Sequence, residues 1–440
     1  MTKEEIIALT KENDIQFIRL QFTDIFGQPK NVTISQSQLD KALSGKCMFD
    51  GSSIEGFVRI EESDQYLHPD LDSYTILPWH NKHGRVARLI CDIFTPENTP
   101  FTGDPRYILR RVTQQAAEMG FTFYVGSECE FFLFQTDENG KPTLQPHDEA
   151  GYFDWGIVDH GDVARRDICL ALERMGFEIE ASHHECGPGQ HEIDFKYAEA
   201  LTAADNIVTF KLAVKTVAQR HKLHATFMPK PIFGEAGSGM HINMSLFRDG
   251  VNSFEQKDDT YGLSPVAYQF LAGQLAHISA ITAVTNPLIN SYKRLASGYE
   301  APRYVAWSAR NRSPLVRVPS SRGPSTRIEL RSPDPSCNPY LALAVCLAAG
   351  LDGIRRQLTP PPAVDGNIFA MTDQEREAAG IGHLPETLAD AIRALKADQL
   401  ICDTLGSHIT ERYIDAKLKD WDEYRTYVSD WERKKYLITY

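Results

Sequence analysis

Acidic and imidazole side chains recur at every second position in several segments of this chain. In FYVGSECEFFLF, residues 123–134, Glu128 and Glu130 share one strand face while Cys129 and Phe131 take the other. In GSGMHINMSLF, His241, Asn243 and Ser245 share a face against Ile242, Met244 and Leu246. In STRIELRS, Arg327, Glu329 and Arg331 share a face against Ile328 and Leu330. Glu185 closes the strand-like run FEIEASHHE, and the turn Gly187-Pro188-Gly189 leads into HEID. That turn is expected to set Glu185 and Glu192 opposite each other across a hairpin.

Any one of these strands reads equally well as part of a half-exposed antiparallel sheet with a solvated face. Together they point to chemistry. Glu128 and Glu130 sit amid Phe131, Phe132 and Phe134, where unpaired carboxylates are costly. Neighbouring carboxylates repel unless a cation or an arginine lies between them. An oxygen-rich set with one imidazole suits hard divalent metals, Mg²⁺ or Mn²⁺ before Zn²⁺, because no thiolate joins the pattern. Residues 303–331 add Arg303, Arg310, Arg312, Arg317, Arg322, Arg327 and Arg331, with Glu329 the only acid and no lysine. Guanidinium forks grip phosphate and carboxylate oxygens in pairs. Carboxylates, metal and arginines read as phosphoryl transfer from a metal-bound nucleotide. No G-x-x-x-x-G-K-[ST] stretch occurs, so a P-loop does not hold that nucleotide, and the protein-kinase motif set is absent too.

The elements that must position these groups follow from pattern. The first hundred residues read as a small β-rich domain: a helix over 3–12, strands in FIRLQFTD and NVTISQ, and more strand in YTILPW and RVARLICDIF. TPENTPFTGDP, residues 95–105, reads as a linker. Asp104-Pro105 then opens a helix that Gly120 closes. Residues 202–221 form a helix with Ile207, Phe210, Val214 and Val217 on one face. YLALAVCLAAGL, residues 340–351, is too short for the ~20 residues of a membrane span. It reads as a buried core helix with Asn338 as N-cap and Pro339 in its first turn. Several helices follow residue 384. The domain boundaries are expected at 1–103 and 104–440, a small domain followed by a large α+β domain.

Composition bounds the function classes. The 440 residues are 42% hydrophobic, 24% charged and 10% aromatic. That excludes a disordered chain, a collagen and a disulfide scaffold. The net charge of −13 argues against general nucleic-acid or anionic-membrane binding. The eight cysteines are scattered without a C-x-x-C pair, which suits a reducing cytosol. The N-terminus, charged from its third residue, does not read as a signal peptide. A cytoplasmic enzyme is the expectation.

These residues resemble a known family. MFDGSSIEGFVRIEESDQYL (48–67), KPIFGEAGSGMHINMS (230–245), NSYKRLASGYEAP (290–302) and RIELRSPDPSCNPYLAL (327–343) resemble the motifs of glutamine synthetases, in order and nearly end to end. The chain looks like a bacterial type I enzyme of the shorter, Gram-positive-like, feedback-inhibited branch.

The resemblance implies an N-terminal β-grasp domain and a catalytic domain whose curved antiparallel sheet is flanked by helices. It implies that Glu130, Glu185 and Glu192 hold one divalent metal, Mg²⁺ or Mn²⁺, on the glutamate side. Glu128, His241 and Glu329 then hold a second on the ATP phosphates, giving two or more metals per site. Glu180, Tyr197, Asn243, Ser245 and Arg327 fall at nucleotide positions, and Arg317 at a phosphate position. Glutamate and its phosphorylated form fall to Arg294, Arg312, Arg331, the Gly237 backbone and Glu130, under a flap carrying Glu300. Asp50, Tyr152 and Glu185 fall at the ammonium site. Asp50, Glu300, Arg312 and Arg317 are the implied catalytic residues.

The implied reaction is ATP-dependent ligation of L-glutamate and ammonia through γ-glutamyl phosphate. The implied assembly is a dodecamer of two stacked hexamers with active sites between subunits. Arg59 falls at a position tied to glutamine feedback, with a surface arginine paired to Glu61 or Glu62 as the alternative. The branch also binds nitrogen-responsive transcription regulators, partly through its C-terminal region, which leaves open whether KKYLITY does so. Two departures stand out. Phe369 in NIFAM replaces a tyrosine that some relatives nucleotidylate, so no such modification is expected there. Ala236 stands where many relatives carry Asn. The rival readings are a γ-glutamyl-polyamine ligase on the same scaffold and a non-catalytic regulatory relative.

Overall fold

The computed structural model describes residues 1–57, 63–79, 84–296, 302–310 and 313–440. The small domain opens with α1 (Lys3–Glu12), whose Thr2 cap and Glu5 bond each other's backbone in a capping box. Its strands are β1 (Ile15–Thr23), β2 (Pro29–Ser35), β3 (Cys47–Asp50), β4 (Asp64–Pro69), β5 (Thr75–Ile76) and β6 (Arg85–Phe94), with α2 (Leu39–Leu43) between β2 and β3. The sheet order is β2-β1-β6-β4-β3, with β5 on β6. Only the β1–β6 pair is parallel among these strands. The strand expected in YTILPW is confined to Thr75–Ile76.

The stretch read as a linker is folded onto β6. Phe101 is buried, its N–H donates to the Ile93 carbonyl at 2.8 Å, and Asp104 Oδ2 accepts from Ile93 N at 3.0 Å. Proline and glycine mark turns, but they do not say whether a side chain such as Phe101 will find a core. Asp104 also caps α3 (Pro105–Glu118) by accepting from Arg106 N.

The large domain is built on one sheet, in the order β16-β17-β18-β13-β7-β10-β9. Its long strand is β7 (Thr122–Thr136), which also carries β8 (Pro142–Pro146), β11 (Ala198–Glu199) and β12 (Leu223–Thr226). After β8 come α4 (Asp162–Glu173), β9 (Ile179–His184) and β10 (Gln190–Phe195); α5 (Ala200–Arg220) follows β11. Then come β13 (Met240–Arg248), β14 (Val251–Asn252), α6 (Pro265–Thr285) and α7 (Ile289–Arg294). A separate two-stranded pairing joins β15 (Tyr304–Val305) to a short segment at Gly382–His383. The strands β16 (Trp307–Ser308), β17 (Val316–Arg317) and β18 (Ile328–Leu330) complete the sheet edge. The C-terminal part is helical: α8 (Pro339–Arg355), α9 (Asp373–Ala378), α10 (Leu388–Ala397), α11 (Gln399–Thr426) and α12 (Asp430–Tyr436).

Alternation sorts the sheet's two faces. Cys129, Phe131, Ile242, Met244, Ile328 and Leu330 are fully buried in the main core. The acidic and imidazole residues therefore emerge on the opposite face. Helix α8 runs through the core with Asn338 Oδ1 capping Tyr340 N and Leu341 N. It crosses α6 closely: a Cβ on Gly273 would stand 2.0 Å from the Ala349 carbonyl oxygen, so only glycine fits there.

Buried polar ties bind the two domains. Asn338 Nδ2 donates to the Asp24 and Ile25 carbonyls at 3.0 and 3.3 Å. Arg106, at the start of α3 and 3% exposed, meets Asp70 and Asp92 of the small domain at 2.6 Å and Asp205 of α5 at 2.8 Å. Tyr340 of α8 donates to the same Asp205 at 2.6 Å. Such a charge cluster holds only while every member stays paired.

Candidate active site

Two groups of ligand-type side chains lie on neighbouring strands. In the first, Glu128 of β7 and His241 of β13 face each other in register, with Glu128 Oε2 and His241 Nδ1 3.0 Å apart. Glu329 of β18 pairs with Asn243 of β13, and its Oε1 lies 3.6 Å from His241 Nδ1. One donor atom from each of Glu128, His241 and Glu329 falls within 4.8 Å of the others. Arg331 Nη1 donates to Glu329 Oε1 at 2.6 Å, and Arg317 Nη1 to Oε2 at 2.8 Å. These bonds give a buried carboxylate two guanidinium partners and fix both guanidinium groups beside it.

The second group gathers His183, Glu185 and Glu192 within the same 4.8 Å span. Here the hairpin differs from expectation. The residue opposite Glu192 on β9 is His183, not Glu185. Glu185 lies one position past the strand, its N–H on the Gln190 carbonyl at 2.8 Å. The five-residue connection shifts the register, and Glu185 reaches the group from the turn. His183 Nδ1 lies 3.6 Å from Glu185, and His183 Nε2 lies 3.3 Å from Glu192. Glu130 sits directly across from Glu192 on β7. Its Oε2 accepts from Gly239 N and Gln190 Nε2, both at 2.9 Å.

The electrostatics call for cations. Burial pushes the carboxyls of Glu130, Glu185, Glu192 and Asp194 upward, and the neighbouring carboxylates add to the push, while Arg294 and Arg331 oppose it at Glu130 and His241 opposes it at Glu185. Glu128 is the exception. Burial works against its charge too, but the hydrogen bonds from His241 and Asn243 outweigh it and hold it at about 2. Such a set keeps its negative charge only with a counter-ion. Carboxylate oxygens with imidazole nitrogens fit Mg²⁺ or Mn²⁺, and Cys129 is buried on the far side of the strand.

Beside the first group lies a cavity of about 360 Å³. Glu180, Tyr197, Asn243, Ser245 and Arg327 all line it, together with Glu128 and Asp194. Arg327 Nε donates to Asn243 Oδ1 at 2.9 Å, and Asn243 Nδ2 donates to Glu128 Oε1 at 3.0 Å. That chain links the cavity wall to the first ligand group.

Comparison with known proteins decides what the arrangement belongs to. Residues 102–436 match the family described as "Glutamine synthetase, catalytic domain", and residues 14–96 match "Glutamine synthetase, beta-Grasp domain". The chain belongs to the glutamine synthetase family. It is 62% identical over 439 residues to the "Glutamine synthetase" of Clostridium saccharobutylicum, covering 100% of this chain and 99% of that one. It is 58% identical over 440 residues to the "Glutamine synthetase" of Staphylococcus aureus, with the same coverage. Among solved structures, a "GmaS/ADP complex" superposes with a TM-score of 0.89 at 34% identity, covering 98% of this chain and 99% of that one. A Plasmodium falciparum glutamine synthetase superposes with a TM-score of 0.88 at 25% identity, covering 99% of each chain. The β-grasp domain and the large catalytic domain with its curved sheet and flanking helices are those of this family.

The remaining sequence-derived positions of this glutamine synthetase chain fall as follows. Arg294 is buried, and its guanidinium donates to the carbonyls of Ser332 at 2.7 Å, Pro333 at 3.3 Å and Arg331 at 3.3 Å. Gly237 packs on it so closely that a Cβ would stand 3.1 Å from Arg294 Cγ and 2.5 Å from the Pro229 carbonyl oxygen. Ala236 precedes it in the same loop. Asp50 ends β3 on the surface, where Ser52 donates to it from N at 2.8 Å and Oγ at 2.6 Å and holds its carboxyl low. Asp50 forms no ion pair or hydrogen bond with the large domain among the described residues. Tyr152 is half exposed, stacks on Phe153 at 4.0 Å and meets the His183 ring edge-on at 5.8 Å. Phe369 lies against Tyr304, ring centroids 5.8 Å apart. Arg59, Glu300 and Arg312 lie outside the described residues.

Three site neighbours were not nominated from sequence: His183, Gln190 and Asp194. The signal was there. His183 stands two before Glu185, and Gln190 and Asp194 stand two either side of Glu192, so each shares a strand face with a nominated glutamate.

Proposed function

We propose that the two ligand groups and the adjoining cavity divide one reaction between them. The reaction is ATP-dependent ligation of L-glutamate and ammonia to L-glutamine, releasing ADP and phosphate. Glu128, His241 and Glu329 would hold the cation on the ATP phosphates. Glu130, Glu185 and Glu192 would hold the cation facing glutamate, with His183 beside them. Bound Mg²⁺ or Mn²⁺ supplies charge neutralisation for the polyphosphate and for the attacking carboxylate.

Glu180, Tyr197, Asn243, Ser245 and Arg327 would receive the nucleotide. The observation that carries this reading is that all five line one cavity opening beside Glu128. A solved relative is titled as an ADP complex, which agrees with nucleotide binding on this scaffold. Arg317 and Arg331, aimed by their shared partner Glu329, would stabilise the transferring phosphoryl group. The γ-carboxylate of glutamate attacks the γ-phosphorus, the bond to ADP breaks, and γ-glutamyl phosphate forms. Arg294, Arg312, the Gly237 backbone and Glu300 would hold the amino acid and cover the acyl phosphate against water.

Ammonium would be drawn to Asp50, Tyr152 and Glu185. Asp50 takes a proton from ammonium, the ammonia formed attacks the γ-carboxyl carbon of the acyl phosphate, and the C–O bond to phosphate breaks as the amide forms. The Asp50 side chain bonds Ser52 within the small domain, among the described residues, and we propose that it completes the site of a neighbouring subunit in a two-ring dodecamer. We place the enzyme in the cytoplasm, in keeping with eight cysteines that form no disulfide among the described residues. No described helix is long and apolar enough to cross a membrane. Arg59 is our candidate for glutamine feedback, and the C-terminal tail for contact with nitrogen-responsive regulators.

Product analysis with ammonium and with putrescine tests the choice of acceptor. Glutamine from ammonium, with little γ-glutamyl-putrescine, supports the reading. A strong preference for putrescine overturns it in favour of the polyamine ligase.

A further inference from the structure

Behind Glu185 lies a buried polar cluster that the reaction described above does not use. His184, the last residue of β9, is fully buried, as is the His191 ring on β10. His184 Nδ1 lies 2.7 Å from the Glu185 carbonyl oxygen, and its Nε2 lies 2.8 Å from Asp148 Oδ1. Both ring nitrogens face acceptors, so both donate. Asp148 is 5% exposed and carries two further duties in the same place. Its Oδ1 also accepts from Gly189 N at 3.0 Å, and its Oδ2 accepts from His160 N at 3.1 Å. The His184 carbonyl in turn accepts from Phe153 N at 3.1 Å.

These bonds join three pieces of chain. The first is the end of β9 with Glu185, the second is the hairpin turn at Gly189, and the third is the segment 147–160 that carries Tyr152. Asp148 and His184 are their common node. Glu185 and Tyr152 come from different segments, and neither is held by regular structure at its own position. Their separation is set by the node.

The cluster is not a metal site, although Asp148, His184 and His191 lie close enough together for one. Both His184 nitrogens carry protons. Arg165 Nη1 donates to His191 Nδ1 at 2.9 Å, so the His191 proton sits on Nε2. Neither imidazole has a lone pair to give. A Cβ on Gly161 would come within 2.5 Å of the His191 ring, so the ring also fills its space.

We infer that Asp148 and His184 are positioning residues for the ammonium pocket, holding Glu185 and Tyr152 at the distance at which the two can share one cation. The inference rests on the assignment of Glu185 and Tyr152 to ammonium. Loss of an outer partner of this kind typically costs ten- to a hundredfold in the function of the group it orients. The nucleotide cavity is lined on β9 and β10 by Glu180, Ala181, Asp194 and Phe195, and not by Asp148, His184, Glu185 or Tyr152, so ATP binding should change far less.

The test uses the assembled full-length enzyme with Asp148→Asn, which keeps shape but loses charge, and His184→Gln, which removes one of the two ring donors. Steady-state constants are measured for ammonium and ATP, and γ-glutamylhydroxamate formation is measured with hydroxylamine, which is neutral at pH 7 and needs no cation pocket. The expected result is an ammonium KM raised about tenfold. The KM for ATP stays within about twofold, and the hydroxylamine rate stays near that of the parent. Equal loss with both nucleophiles, or no change in either variant, overturns the inference. So does failure of both variants to assemble, which would make the pair structural. If the parent chain forms no glutamine, the ligase reading itself fails and this inference falls with it. If the parent is active and the variants lose no ammonium selectivity, this inference alone falls.

Discussion

Arg331 Nη1 lies 2.6 Å from Glu329 Oε1, and the two form a buried ion pair beside the His241 ring. Glu329 aims two guanidinium groups, and on the proposed function it also offers an oxygen to a cation. Glu329→Ala removes both. Metal-dependent ATP binding should drop at least tenfold by calorimetry. Glu329→Gln keeps a hydrogen-bond acceptor for the arginines and should preserve folding while losing the cation. Equal nucleotide affinity in parent and variants would refute the assignment of Glu329 to the metal.

Asp50→Ala should cripple ammonia use and leave ATP binding within about twofold. A general base contributes typically 10²–10⁴-fold, so glutamine formation at saturating ATP should fall by roughly that range. Asp50 is on the surface of the small domain and, among the described residues, its side chain is bonded to Ser52 alone, so folding should be spared. Unchanged glutamine formation would remove Asp50 from the mechanism.

Arg106→Met should unfold the chain more easily, because it takes the shared guanidinium from Asp70, Asp92 and Asp205 and leaves them only Arg110, near Asp92 and Asp70, and the Tyr340 hydroxyl on Asp205. Breaking a buried charge cluster from one side costs about 3–5 kcal/mol. Denaturant unfolding should show that loss, and Arg106→Lys should recover only part of it, since an ammonium cannot satisfy three carboxylates in a fork. A loss below about 1 kcal/mol would show that the cluster does not hold the domains together.

His277 predicts a pH signature in stability. Its Nδ1 lies 2.6 Å from Asp398 and its Nε2 3.1 Å from Asp352, which joins α6 to α8 and to the start of α11. Hydrogen bonding to Asp398 raises its pKa above the ordinary 6.5, against a smaller effect of burial. A raised folded-state pKa means the stabilisation is complete below pH 6.5 and fades as pH rises through the folded value. Asp398 is shifted down, so its share persists until pH falls below 3.8. The Tm gap between parent and His277→Gln should be widest below pH 6.5 and shrink as the pH rises past the raised folded-state value. A gap independent of pH would show that the His277 charge contributes nothing.

Much of this was legible from residue order, and the limits have physical causes. Asn338-Pro339 announced α8 because capping is local, and Asn338 does cap Tyr340. Period-two alternation brought out Glu128, His241 and Glu329 because one face of each strand had to enter the core. The Glu185–Glu192 pairing was misjudged because the register of a hairpin depends on how its turn closes, and here the turn puts His183 across from Glu192. The Arg106 cluster was invisible because its partners lie 36, 14 and 99 residues away. Arg294 is expected at glutamate from the resemblance; that its Nη1 and Nη2 also donate to the carbonyls of residues 331–333 is a matter of loop packing that residue order does not show.

On the proposed function, one site couples ATP cleavage to amide formation from glutamate and ammonium. The decisive measurement is phosphate release with all three substrates and with each omitted in turn. Sustained release is expected only when ATP, glutamate and ammonium are all present, with glutamine formed in equal amount. Undiminished release without ammonium or without glutamate would contradict it.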